Sequence, residues 1–210
     1  MDGNLNHALD ENDSANSPRK LERLGDCHNH LGNYVEAQRC YEEAAFLAPD
    51  DAAPYVGLGT LALKRNRLDD ADVAFRVARR LDPACAKAYA GLAAVAQQEN
   101  DYKQAFEMYL KCLELDTDDL TALLGLFQTS LQMGSFEKVT HYLELYLNTH
   151  PADTSVMFTL AALYVKDHRL DDAANILAAL LKLDPQNMDA AALLEEVEHA
   201  VAHSEAQEEE

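Results

Sequence analysis

The chain has no tryptophan, and only 8 glycines, 6 prolines and 4 cysteines among its 210 residues. So few helix breakers exclude a loop-rich or collagen-like polymer, and the Ala- and Leu-rich remainder reads as helical and apolar enough to bury a core. The four cysteines, Cys27, Cys40, Cys85 and Cys112, form no CxxC pair and no even framework in a small domain, which excludes a disulfide scaffold; they are expected to be free thiols of a reducing compartment. No stretch approaches the ~18 consecutive apolar residues of a membrane span. The opening Met-Asp-Gly-Asn has neither a basic nor an apolar leader region, so the expected location is cytoplasmic. Cations are scarce as well: 17 Lys and Arg face 37 Asp and Glu, for a formal net charge of −20. Such a surface repels nucleic acid and anionic membranes and favours a neutral or basic partner. The signatures of nucleotide, hydride and common hydrolase chemistry, GxxxxGKS/T, GxGxxG, GxSxG and HExxH, are all missing, so no catalytic residue and no cofactor is assigned.

What is present is a period. Pro49, Pro83, Pro151 and Pro185 fall at multiples of 34, with Thr117 in the vacant place. Leu24, Leu58, Leu92, Leu126 and Leu160 repeat the interval without a gap. A small column, Ala37, Ala71, Ala105, Val139 and Ala173, and a bulky one, Tyr34, Leu68, Tyr102, Phe136 and Leu170, keep the same register. Four columns in one register mark a repeat array rather than a single globular core.

Each column has a mechanical reason. Tyr55, Leu58, Gly59 and Ala62 lie at i, i+3, i+4 and i+7, one face of a first helix; Ala71, Phe75 and Ala78 repeat that spacing on a second. Between the two helices one position reads Gly32, Asn66, Asn100, Gly134 and His168. These types tolerate the left-handed conformation in which helices commonly end. Each proline stops a second helix, because the residue before it avoids helical geometry. Ser17-Pro18 reads as an N-cap followed by the first helical residue. Acidic pairs such as Asp69-Asp70 and Asp171-Asp172 are expected to offset the helix dipole at the starts of second helices rather than to form an acid–base couple.

These residues resemble the tetratricopeptide repeat family closely. Tyr55, Leu58-Gly59, Ala71, Phe75, Ala78 and Pro83 match its 34-residue pattern in the second unit, and Leu24-Gly25, Ala37, Tyr41, Ala44 and Pro49 in the first. The third unit keeps Tyr89, Leu92, Ala105 and Tyr109, and the fifth Leu160, Tyr164, Ala173 and Pro185. The fourth departs most, carrying Phe127, Val139, Leu143 and Tyr146 with only Leu126 and Pro151 held. The resemblance implies an all-α, right-handed superhelical solenoid of five helix–turn–helix repeats over residues 17–186. A capping helix over 187–203 follows, with Leu194, Val197 and Val201 on one face and Glu195 and Glu198 on the other. Residues 1–16 are expected to be a disordered leader, and 204–210 a frayed acidic tail.

The resemblance also implies a partner-binding concave face lined by a second stripe of the first helices. That stripe begins polar in the first unit (Glu22, Asp26, Asn29). It continues as Val56, Thr60 and Leu63, then Lys87, Ala90, Ala94 and Gln97, then Leu124, Gln128 and Leu131, then Phe158, Ala162 and Val165. Lys87 and Gln128 are expected to fix register, and Gly57, Gly91 and Gly125 to leave the floor without side chains. A roomy apolar face suits a helix or an extended apolar peptide. Some relatives clamp acidic chaperone tails with Lys, Arg and Asn; here only Lys87 matches, while Glu22, Asp26 and Gly91 stand where such residues would be required. An acidic tail is therefore not expected. The function read from this pattern is a protein–protein interaction module, an adaptor or scaffold. The alternatives are a chaperone-like holder of a secretion or assembly substrate and the targeting subunit of an enzyme complex.

Metal readings are weak. In Cys27-His28-Asn29-His30 the two histidines are i, i+2 and do not share a helix face, and no second cluster completes a zinc set. His199 and His203 are an isolated i, i+4 pair. Leu5 and Leu9 could form an apolar turn that occupies the chain's own groove or a neighbour's, giving self-association.

Overall fold

The computed structural model describes residues 17–134 and 136–208, with side chains as far as Ala202. The expectations for the leader, including Leu5 and Leu9, and for the extreme C-terminus lie outside the described residues. All regular structure among the described residues is α-helical. Five consecutive pairs run α1 (Pro18–His30) with α2 (Tyr34–Leu47), α3 (Ala52–Lys64) with α4 (Leu68–Leu81), α5 (Ala86–Gln98) with α6 (Tyr102–Leu115), α7 (Leu120–Met133) with α8 (Glu137–Thr149), and α9 (Thr154–Lys166) with α10 (Leu170–Leu183). A last helix, α11 (Met188–Glu208), follows. It runs beyond the expected end at His203 because the Glu, Ala and Gln that follow are good helix formers and nothing there breaks the helix.

The joints explain the period. In each of the five joints between paired helices one residue takes positive φ: Gly32 (77°), Asn66 (57°), Asn100 (63°), Gly134 (69°) and His168 (59°). Arg67 N–H then returns to the Ala62 carbonyl, and Asp101 and Arg169 return in the same way to Ala96 and Tyr164, so spare carbonyls at each helix end are satisfied. Ahead of the prolines, Ala48, Asp82, His150 and Asp184 leave helical geometry with ψ between 61° and 98°. Asp116, ahead of Thr117, does the same without a proline, with φ −144° and ψ 95°.

Most of the following first helices start from a carboxylate or amide cap. Asp51 accepts from Ala53 N–H, Asp119 from Ala122, Asp153 from Val156 and Asn187 from Ala190, all near 3.0 Å. Ser17 occupies the N-cap of α1 with Pro18 behind it, but its hydroxyl makes no capping bond. Acidic pairs open α4 and α10, a single Glu36 or Glu137 serves α2 and α8, and α6 has none in its first turn and relies on Asp101 at its N-cap.

The chain divides into two compact units, Met1–Thr129 and Ser130–Glu210. In the first, each pair closes on itself and α2 and α4 also pack on the next first helix, so that α1, α3 and α5 become neighbours. Ala37, Ala71 and Ala105 are completely buried there, as are Val139 and Ala173 in the second unit. Ala62, Ala71, Phe75, Leu92 and Val95 form one shared cluster. In the second unit α10 packs on both α9 and α11, with Ala190 and Val197 of α11 buried and Glu195 and Glu198 exposed. Tyr164 there donates to Glu144 at 2.7 Å beneath the Arg169 guanidinium, 4.2 Å from the ring centroid.

Candidate partner-binding groove

The expected stripe divides between the two units. In the first, Val56, Thr60 and Leu63 on α3 and Ala90, Ala94 and Gln97 on α5 are half-buried, while Lys87, Leu124 and Gln128 are exposed. Val56 and Leu63 also pack against the core clusters, so they serve the fold as well as the surface. In the second, Leu131 and Ala162 are exposed and Phe158 and Val165 half-buried. Leu124 at 46% and Leu131 at 48% exposure are large apolar side chains left open on one helix.

The glycines act differently from expectation. Gly57, Gly91 and Gly125 are all buried, and each lies under an aromatic ring from the preceding second helix: Tyr41, Phe75 and Tyr109 respectively. A Cβ at any of them would enter the ring. Tyr41 meets Gly25 on its other side and Phe75 meets Gly59, where an added Cβ would stand 2.7 Å from the ring in each case. The missing side chains thus make room for rings between successive first helices, and only Gly57 also borders the open groove.

Gln128, expected with Lys87 to fix register, is joined to Gln97 of the stripe. Tyr109 Oη donates to Gln97 Oε1 at 2.8 Å, and Gln97 Nε2 donates to Gln128 Oε1 at 3.0 Å, a relay from core to surface. Burial, reinforced by the nearby Cys112 and Asp119, pushes the Tyr109 hydroxyl up to about 12.

An open pocket of about 420 Å³ lies at the α1 end of the stripe, where Glu22, Asp26 and Asn29 meet Asp51, Val56, Gly57 and Thr60, with Lys64, Asp82 and Lys87 at its margins. Tyr41 Oη donates to Asp26 Oδ1 at 2.7 Å, and burial, the Asp26 bond and its charge raise the Tyr41 hydroxyl well above its ordinary value. The polar start is therefore a walled pocket with an acidic lining. Helical spacing puts Glu22, Asp26 and Asn29 on the stripe but not Asp51 and Asp82, which flank helices of the second repeat as the N-cap of α3 and the C-cap of α4. A second cleft, of about 310 Å³, is lined by Gln38, Leu58, Arg65, Asp70, Val73 and Val77, with no residue of the expected stripe among them.

Cys27 is exposed, and His30 borders the acidic pocket. No group of three or more metal-ligating side chains stands together among the described residues. Nor, among them, is any helix long and apolar enough to cross a membrane.

Comparison with known proteins gives a consistent picture. Residues 73–184 match the family model of the tetratricopeptide repeat protein 21 second ARM domain, and residues 21–51 match a tetratricopeptide repeat model. Among curated proteins, Protein CTR9 homolog of Arabidopsis thaliana is 22% identical over 165 residues, covering 73% of this chain. The matched region is about 15% of that relative's own length. Among solved structures, Pseudomonas aeruginosa PilF superposes with a TM-score of 0.69 at 19% identity, covering 90% of this chain and 86% of its own. Yeast Tom70 gives 0.66 at 21% identity, with 95% of this chain but 42% of Tom70. YrrB, described as a tetratricopeptide protein with an unusual peptide-binding site, gives 0.60 at 16% identity, covering 90% and 97%.

Proposed function

Since the chain belongs to the tetratricopeptide repeat family, and its fold implies protein partners, we propose that it is a non-catalytic adaptor holding a peptide or helical segment of a partner on the stripe of its first helices. The observation that carries this reading is the side-chain content of the stripe. In the first unit, half-buried Val56, Leu63, Ala90 and Ala94 and exposed Leu124 present apolar surface beside an open pocket. Large apolar residues left open on a helix whose opposite face is fully packed mark contact surface. In the second unit Phe158 and Val165 supply the same kind of surface. The peptide-binding site named for YrrB supports the same use of this fold. Holding a secretion substrate, or delivering an enzyme to its target, are settings in which this face would act without change.

The test compares proteins retained from a lysate by the wild-type chain and by Leu124→Asp and Phe158→Asp, with unchanged helical circular dichroism as the control for folding. Partners specific to the wild type are expected to fall away with at least one substitution. Retention of the same partners by both variants would sink the groove assignment.

A further inference from the structure

The α1 end of the groove carries an electrostatic imbalance that its own side chains leave uncorrected. Glu22, Asp26, Asp51 and Asp82 border the pocket, against Lys64 and Lys87. Both lysines are exposed, and no ion pair found among the described residues joins either to these carboxylates. Two acceptors on the wall are buried without any hydrogen-bond partner: Glu22 Oε1 and Asn29 Oδ1. Asn29 is only 7% exposed. It lines the same pocket as Glu22 and Tyr41. Leaving a buried acceptor unsatisfied costs more than the net gain of an ordinary hydrogen bond, so native structures rarely keep two in one pocket unless something else fills them. Glu22 shows the same pressure. Burial first, then the charges of Asp51 and Asp26, lift its carboxyl above the ordinary range, and Arg19 only partly offsets this.

Building on the groove-binding function above, we propose that this pocket receives a cationic side chain of the bound partner, an arginine in preference to a lysine. What the pocket offers is acceptors and negative charge, and what it needs is several N–H donors on one cation. A guanidinium supplies five donors in a planar fork, enough to meet Glu22 Oε1 and Asn29 Oδ1 while facing Asp26 and Asp51. An ammonium brings the charge but fewer directed donors, a neutral amide brings donors without the charge, and an acidic group brings neither. The partner segment then carries apolar residues for the stripe and one arginine for its end.

The test uses the full chain, immobilised and offered a random displayed-peptide library. Sequences enriched on the wild type are expected to share one arginine within apolar surroundings. In a recovered peptide, exchanging that arginine for the neutral isostere citrulline is expected to weaken binding about 10-fold or more, the effect of losing hydrogen bonds to charged groups; lysine should fall between. Glu22→Gln should remove most of the arginine preference, read as the ratio of arginine to citrulline peptide affinities on the same protein. Its melting temperature should hold or rise, since it removes a charge from an acidic pocket. Peptides that bind equally well with citrulline, or a preference that survives Glu22→Gln, would overturn the assignment and leave the groove function standing. Recovery of no peptide at all would count against both.

Discussion

Replacing Gly91 with alanine tests how the first helices are spaced. In an ordinary helix interior this change stabilises by about 1 kcal/mol, because glycine is the poorer helix former. Here the new Cβ would fall inside the Phe75 ring, which is 1% exposed. The ring has little room to retreat, since it also packs closely on Gly59, where even a Cβ would stand 2.7 Å from Cε1. Overpacking of this kind costs about 1–3 kcal/mol, and a ring packed closely on two glycines belongs at the upper end. The net effect expected is a loss of about 1–2 kcal/mol. Each kcal/mol shifts the melting temperature of a chain this size by roughly 2–4 °C, so thermal unfolding followed by circular dichroism should move down by several degrees. Pairing the change with Phe75→Leu supplies the internal control: if ring and methyl compete for one space, the double variant should recover about 1 kcal/mol relative to the sum of the singles. A Gly91→Ala chain that melts higher than wild type would refute the reasoning, because helix propensity would then outweigh the ring contact.

Three further outcomes are expected. His168→Gly should stabilise by about 0.5–1 kcal/mol in denaturant unfolding, since φ is +59° and only glycine adopts that conformation without steric cost; Asn66→Ala should lose about 1 kcal/mol for the converse reason. Tyr109 is raised in the fold from its ordinary value near 10 to about 12, so its stabilising contribution is complete below pH ~10 and disappears as pH rises through ~12. The loss over that window should be about 2–3 kcal/mol, and a stability–pH curve for Tyr109→Phe should be correspondingly flatter there. With a chromogenic disulfide reagent at neutral pH, Cys27 should react at once. Cys40 and Cys112 should wait for denaturant, because both are buried and burial raises both thiols, Cys112 to about 12 with help from Asp119.

Local rules made much of the fold readable in advance. The left-handed joint is decided by one residue, and the five positions singled out are the five that take positive φ among the described residues. The small column, four alanines and Val139, is fully buried in every repeat because the paired helices pack closest there. Leu24 breaks its own column at 48% exposure, since no described helix precedes α1 to cover it. The site was less legible. Glu22, Asp26 and Asn29 could be placed on a stripe by helical spacing, but Asp51 reaches the pocket from the start of α3 and Asp82 from the end of α4, which a single-helix pattern cannot register. Glycine was misread for a similar reason. At Gly57, Gly91 and Gly125 the relevant neighbour is an aromatic ring donated by the preceding hairpin, and a recurring glycine looks alike whether it opens a floor or admits a ring.

The left-handed joints also bear on how such a chain can grow. Each extra residue inserted within a hairpin would rotate everything after it by about 100° around the helix, turning the buried column outward and the stripe inward. A joint of one positive-φ residue has no slack to absorb that rotation. Lengthening this protein without disturbing its core therefore requires adding or removing a whole 34-residue unit at a time, so the length of the stripe changes in steps while its local chemistry can drift freely within each step.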